Sequence, residues 1–504
     1  MAQKSIETLA LHIDAALDRG DESELREALT MTEGFDRSAL SAPDLAALDL
    51  FAANIHAGLR HLSGDHQGWK WVQAPIEQEI LHLRQALDHL SDSTTRDLRT
   101  DLKLRITTNL GNVLDHVGRF VEAIELWDRA LGEHPRFAMA LANRGQALFW
   151  YARYVQDPTQ QAILLRESYR SYRTAAALGV EPHARAEMQQ WVDHLRSMED
   201  WEALDIPAIN FRSKSSKREK KYRRWCVERR LVLNPMNDAT TAENGMPDTL
   251  TLPDIFVTRE DSSPALPAVY AIFNQLKQEY TAARFIVFEA MEDRDRKGLH
   301  FADRGVVLYD ALDYRCYRLW IEKLKMAFLS AHAVFDKIAY LINEYWKLSL
   351  DIRSTNFNAI WYRDGDVRKG LCARFDDSNN WPLRGLHWLS RDFYYKPKSL
   401  QAVLPEAKVI HDIRNHIAHK YLRVHDDWLY SASGERKQVD PRAGYPVTDR
   451  ELEVHTLTLL KLVRSALIYL SSAVAHEEAD KRKTLNDFLV LPMPITMVSE
   501  RYRP

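Results

Sequence analysis

An all-α protein is predicted, with an N-terminal α-solenoid of paired helices followed by a C-terminal helical bundle. Three observations predict it. Asn109-Leu-Gly111 recurs as Asn143-Arg-Gly145, 34 residues further on, a period that fits helix-pair repeats. Between residues 314 and 350, Tyr317, Ile321, Leu324, Phe328, Ala331, Phe335, Ile338, Ile342 and Tyr345 fall at alternating three- and four-residue steps, the seam of a bundle. From Asp449 to about Lys483, Val454, Leu457, Leu460, Leu462, Val463, Ala466, Leu467 and Leu470 supply the apolar face of another long helix.

The N-terminal elements follow from the repeat. Leu110, Gly111, Leu114, Gly118, Ala123, Trp127, Ala130 and Pro135 stand where a tetratricopeptide-like unit needs them. Gly111 and Ala123 let two helices approach, Trp127 fills the seam and Pro135 ends the second helix. The next unit begins at Ala142-Asn-Arg-Gly145, carries an insertion around 151–161, and resumes at Ser168, Tyr172 and Ala175. Upstream, 6–18 with 22–32, and 45–62 with 76–90, read as degenerate helix pairs. A single unit cannot bury its own apolar face, so several must stack. The surface of such a stack is expected to receive a protein partner or trigger.

A basic segment follows, RSKSSKREKKYRRWCVERR over Arg212–Arg230. Lys220, Lys221, Arg223 and Arg224 surround Tyr222 and Trp225, offering charge to phosphates and stacking faces to single-stranded RNA. The competing reading is a solvated linker that becomes the first turns of a helix. The pattern then breaks at Asn234-Pro235, and residues 209–262 are expected to form an irregular linker. The domains are thus helical repeats over 1–208, this linker, a bundle over 263–485 and a tail over 486–504.

In the bundle, residues 266–291 form a helix with Val269, Ile272, Phe273, Leu276, Tyr280 and Ala283 inward. The aromatic-rich stretch 352–398 is interrupted, with a short helix at 383–393, and Pro405 opens the helix that follows. That helix carries Asp412-Ile-Arg-Asn-His-Ile-Ala-His-Lys-Tyr421. At about 100° per residue, Val409, Ile410, Ile413, Ile417, Tyr421 and Val424 share the core side. His411, Arg414, Asn415, Ala418 and His419 share the other, while His416 lies near the edge and is assigned to structure.

The outer set suits RNA cleavage without a metal. An imidazole at His419 can exchange a proton near neutral pH with the ribose 2′-hydroxyl or the leaving oxygen. Arg414 can hold the phosphate and offset its growing charge, and Asn415 can orient either. The competing reading is a polar stripe facing water.

This helix resembles the signature of the HEPN superfamily, whose ribonuclease members carry Arg, a polar residue, several further residues and then His. Arg414, Asn415 and His419 match in order and spacing. Residues 222–238, Asp336-Lys-Ile-Ala-Tyr340 and Ile413–Tyr421 together resemble a prokaryotic HEPN subfamily preceded by tetratricopeptide repeats. The resemblance implies a homodimer with a composite site where two motif helices meet. It also implies RNA cleavage leaving a 2′,3′-cyclic phosphate, in antiviral defence or toxin-like growth arrest. Asp336 matches an acidic position that would hydrogen-bond Arg414 or His419, its alternative being a surface salt bridge. His411 joins the residues expected to contact RNA.

Other classes are disfavoured. No phosphate-binding or dinucleotide glycine motif is present, and no cofactor is expected. A metal site on His411, Asp412, His416 and His419 would need ligands that the helix splits between faces, and there is no His-Glu-x-x-His. Cys226, Cys316 and Cys372 are isolated, so no disulfide framework is suggested. With 68 basic and 71 acidic residues the net charge is −3, so any basic surface is local. No run reads as a membrane span and no leader is seen, giving a cytoplasmic expectation. A non-catalytic HEPN module binding nucleotide or RNA, and a pure scaffold, remain the rival readings.

Overall fold

The computed structural model describes residues 2–64, 70–91, 99–178, 181–205, 215–242, 245–256, 268–309, 315–351, 353, 355–376, 378–393, 404, 406–427 and 444–484. The fold is all-α. Among the described residues, nine helices build the N-terminal stack: α1 (Ala2–Arg19), α2 (Glu22–Glu33), α3 (Ala42–Leu62), α4 (Ala74–Ser91), α5 (Arg99–His116), α6 (Phe120–Glu133), α7 (Ala138–Ala152), α8 (Pro158–Ala176) and α9 (Pro182–Met198). Each packs on its sequence neighbour, so the stack grows one helix at a time.

The glycine reasoning has a direct counterpart in the packing. A Cβ on Gly111 would lie 2.5 Å from the Trp127 Nε1, and one on Gly145 would lie 2.9 Å from the Tyr172 ring. Trp127 therefore closes the α5–α6 pair against a bare backbone, and its indole N–H donates to the Asn112 Oδ1 at 3.2 Å. Tyr172 does the same for α7–α8, with the Ser168 hydroxyl donating to the Gly145 carbonyl at 2.6 Å.

The described residues of the segment expected to be a linker, 215–242 and 245–256, fold against the rest of the protein and supply part of its core. Ser216 caps α10 (Lys217–Glu228), accepting from the Glu219 N–H. After α10, residues 231–239 are buried without exception, ending in the single turn α11 (Met236–Ala239). Charge holds this irregular stretch. Arg464 donates to both carboxylate oxygens of Asp238, at 2.8 and 3.0 Å, and to the carbonyls of Val232 and Asn234. Arg284 makes the same two-pronged contact with Asp248. Irregular backbone is tolerated there because its polar groups are satisfied by side chains rather than by water.

The C-terminal bundle is built on α12 (Ala268–Arg294) and α13 (Leu319–Tyr345), an antiparallel pair tied by Lys323 to Asp293 at one end and Lys337 to Glu279 at the other. Ile321, Leu324, Phe328, Ala331, Phe335, Ile338 and Ile342 are buried as their spacing predicts; Tyr317 lies before the helix and is exposed. Next come the single turn α14 (Ala373–Asp376), α15 (Trp381–Ser390), a 3-10 turn at Arg391–Phe393, and α16 (Ala407–His419). Two short parallel strands, β1 (Leu422–His425) and β2 (Tyr445–Thr448), precede α17 (Asp449–Thr484).

α17 corrects the expectation that no segment reaches membrane-span length and apolarity. Residues 449–483 pass by length and composition, with mean hydropathy 1.5 over the best window, but 83% of that window is buried in the protein. It is the central core helix, contacting α12, α13 and α15; Val454, assigned to its apolar face, is exposed. Pro405 and the tail 486–504 lie outside the described residues.

The stack and the bundle are welded along one edge. There the Trp381 indole N–H donates to the Asp115 carbonyl at 2.8 Å, that of Trp388 to the Trp71 carbonyl at 2.9 Å, and that of Trp71 to the Ser378 carbonyl at 2.9 Å. Phe120 stacks on Trp381 and meets Tyr469 edge-on. Asp392, wholly buried, receives Arg84 and Arg119 from the stack. One apolar core runs unbroken from Ala46 to Val474.

Candidate active site

α16 carries the motif and presents it as a two-sided helix. Ala407, Ile410 and Ile413 are buried against α13 and the 391–393 turn, with Val409 and Ile417 half-buried beside them. The helix stops at His419. Lys420 leaves helical geometry and the alternating apolar–polar Leu422-Arg-Val-His425, with the β-branched Val424, becomes a strand against β2. Tyr421 and Val424, expected on the core face of a longer helix, are therefore not helical. Val424 is buried in β1, and Tyr421 is 43% exposed.

Three of the outward side chains form a chain of hydrogen bonds. Arg414 Nη1 donates to Asn415 Oδ1 at 2.9 Å, and Asn415 Nδ2 donates to His411 Nε2 at 2.7 Å. This network assigns His411 the tautomer with its proton on Nδ1. Asn415 thus orients both neighbours. His419 is exposed, and among the described residues nothing hydrogen-bonds its ring. His416 donates from Nδ1 to the Asp412 carbonyl at 2.7 Å and stacks on Tyr445. With His411 turned to Asn415 and His416 to its own helix, the four candidate metal ligands do not converge; no such group of three occurs among the described residues.

Asp336 departs from expectation. Its carboxylate accepts from the Phe357 backbone N–H at 3.3 Å, and no hydrogen bond joins it to Arg414 or His419. The short carboxylate is satisfied by that backbone donor instead. One turn earlier stands a residue that the sequence reading missed, His332. It packs against Phe393, and burial pushes its pKa down to about 4, with Arg414 and His411 adding to the fall and Asp336 opposing it. A neutral imidazole therefore sits under the motif. The i, i+4 spacing of His332 and Asp336 was the available signal.

The basic segment does not offer the stacking faces that its sequence suggests. Trp225 is 8% exposed, packs on Phe288 and is covered by Arg229. Tyr222 is half-buried between Trp225 and Phe288, and its hydroxyl accepts from Arg284. Both rings anchor α10 to α12. Much of the charge is also matched: Arg218 pairs with Glu289 and Glu292, Lys221 with Glu292, Arg223 with Glu219 and Arg224 with Glu228. Lys220 is exposed on the outer side. Arg212 and Lys214 lie outside the described residues.

Exposed rings stand instead beside the end of α16. Tyr317 is 45% exposed, and the Arg315 guanidinium lies over the Tyr421 ring at 5.3 Å while donating to its hydroxyl. The two tyrosine hydroxyls are 3.4 Å apart. Periodicity places both tyrosines on core faces and does not report that they meet, because the chain brings them together from positions more than a hundred residues apart.

No curated protein and no solved structure matches the chain. Residues 261–477, which take in α12, α13, the motif helix and most of α17, match the family model described as LA2681-like HEPN, and the C-terminal bundle is of the HEPN type.

Proposed function

We propose that the C-terminal domain is a metal-independent endoribonuclease that works as a homodimer. The observation that carries this reading is the outward stripe of α16: Arg414 oriented by Asn415, with His419 open to solvent at the helix end. In the proposed reaction the ribose 2′-oxygen attacks the adjacent phosphorus and the bond from phosphorus to the 5′-oxygen breaks. A 2′,3′-cyclic phosphate and a 5′-hydroxyl result. One proton leaves the 2′-hydroxyl and one reaches the departing 5′-oxygen; His419 of the two copies would take these roles. Arg414 stabilises the charge on the phosphorane oxygens, and its preorganisation by Asn415 gives that contact its value. Tyr317 and Tyr421 offer stacking faces to unpaired bases next to the scissile bond, and His411 lies within the same surface.

His332 acts in this scheme as a positioning residue, an uncharged ring kept neutral by burial behind Arg414, while Asp336 fixes the neighbouring backbone at Phe357. We place trigger or partner binding on the helix stack, and a role in antiviral defence or growth arrest. The alternative is a non-catalytic module that binds RNA, nucleotide or protein, favoured by the absence within the described chain of a group that orients His419.

The decisive assay is RNA cleavage with chelator present, followed by analysis of the ends. The expected result is cyclic phosphate termini, with loss of at least a hundredfold in Arg414→Ala and His419→Ala. Unchanged cleavage in both variants would remove the assignment, and loss in neither growth nor RNA integrity on wild-type overexpression would remove the toxin-like role.

A further inference from the structure

α15 turns Trp381, Arg384, Gly385 and Trp388 toward the stack, at i, i+3, i+4 and i+7. Three of the four are accounted for. Both indoles donate to carbonyls of the stack, and Gly385 crosses Gly118 backbone to backbone. Arg384 is the exception. It is 2% exposed, and its Nε and Nη2 are buried with no hydrogen-bond partner.

The surrounding charges do not supply one. Among the described residues, the other guanidinium groups of this seam are matched: Arg84 and Arg119 with Asp392, Arg119 also with Glu122, Arg391 with Glu77, and Arg60 with Glu79. Asp115 also lies in the seam with a buried, unpartnered carboxylate oxygen. It is not the counter-charge, since burial alone perturbs it and Arg384 does not. The charge that does act on Arg384 is a second cation, Arg60 of α3. His387, one turn along α15, feels Arg384 and leaves its Nδ1 without a partner.

An uncompensated buried guanidinium is strongly unfavourable, and native folds rarely keep one. A fixed fork of N–H donors, a second guanidinium nearby and an imidazole nitrogen make the surroundings of an anion. Burial lifts Glu79, the partner of Arg60, to about 7, so Arg60 is only partly answered near neutral pH, and two cations favour a phosphoryl group over a carboxylate. Arg60 gives a way in, its side chain being 14% exposed at the end of α3.

We propose that Arg384 and Arg60 form a buried oxyanion site at the seam between the helix stack and the bundle, taking a phosphoryl group from free phosphate or from a nucleotide. Occupancy adds a contact that belongs to both halves of the chain.

The test uses the full chain, with thermal unfolding and calorimetry against inorganic phosphate and against ADP, and sodium chloride at matched ionic strength as control. The expected result is a saturable rise in unfolding midpoint with a phosphoryl ligand and none with chloride. Arg384→Met should fold, since it removes an unmatched charge, and should bind at least tenfold more weakly. Arg60→Met, which leaves the wholly buried group in place, should also weaken binding, and decides the matter if Arg384→Met does not fold. Tighter binding of ADP than of phosphate assigns the nucleotide source, and equal binding assigns free phosphate. No saturable response in the wild type, or equal affinity in the variants, overturns the proposal. No RNA enters these measurements, so their outcome is separate from that of the cleavage assay.

Discussion

Gly385→Ala sets two opposed effects against each other, and the structure decides between them. In an ordinary helix interior the change from glycine to alanine stabilises by about 1 kcal/mol. On α15 the new Cβ would lie 2.2 Å from the Gly118 carbonyl oxygen and 2.7 Å from its carbonyl carbon. Both are backbone atoms, so no side chain can swing aside. Relief requires the seam to open by about 1 Å. The bonds nearest the crossing are the Trp381 indole to Asp115 at 2.8 Å and the Trp388 indole to Trp71 at 2.9 Å. Opened by that amount, both pass the limit of a hydrogen bond. Leaving buried donors unmade costs about 1–3 kcal/mol each, and overpacking itself costs a similar amount. After the helix gain is subtracted, the net is about 5 kcal/mol of destabilisation. Urea unfolding followed by tryptophan fluorescence measures it. Gly132→Ala on α6, where a Cβ meets nothing within 4 Å, is the control and should be neutral or stabilising by up to about 1 kcal/mol. If Gly385→Ala is within about 0.5 kcal/mol of wild type, or more stable, the seam is not close-packed as described.

Other outcomes follow from the same structure. Asp238→Ala should cost about 3–5 kcal/mol by leaving Arg464 buried and unmatched, and Asp238→Ala with Arg464→Met should recover most of it in chemical denaturation. Burial lifts the Asp115 carboxyl to about 7, above its unfolded value of 3.8, so its neutral form favours the fold and stability falls as pH rises from about 4 to about 7, then levels off. Asp115→Asn should therefore gain on wild type between pH 4 and 7 and hold that gain above it, by up to roughly 4 kcal/mol in unfolding measured across pH. Trp225→Ala should lower stability by about 3–5 kcal/mol as a core truncation; unaltered stability with lost RNA binding would instead restore the stacking reading.

Local spacing made much of this molecule legible. Gly111 with Trp127 and the seam of α13 could be read because each pattern reports a contact between residues close in sequence or on one helix face. The outward set His411, Arg414, Asn415 and His419 was legible for the same reason. What spacing does not report is which distant element answers a residue. Nothing near Trp225 in sequence says that Phe288 covers it, and nothing near Asn234-Pro235 says that Arg464 satisfies its carbonyls. Tyr421 was misplaced because an apolar residue eight positions after Ile413 fits a helical period equally well when the helix has already ended. His332 was passed over as one more position on a helix whose core was already full.

The crossing of Gly118 and Gly385 also limits what evolution can do with this gene. The two halves look in sequence like interchangeable cassettes, a repeat array in front of an effector. They are not cassettes. A foreign repeat array spliced ahead of residue 215 would bring no glycine to the crossing, no carbonyl for either indole and no arginines for Asp392. The array must therefore diversify by substitution on its free surfaces, while the edge that meets α15 is inherited together with it.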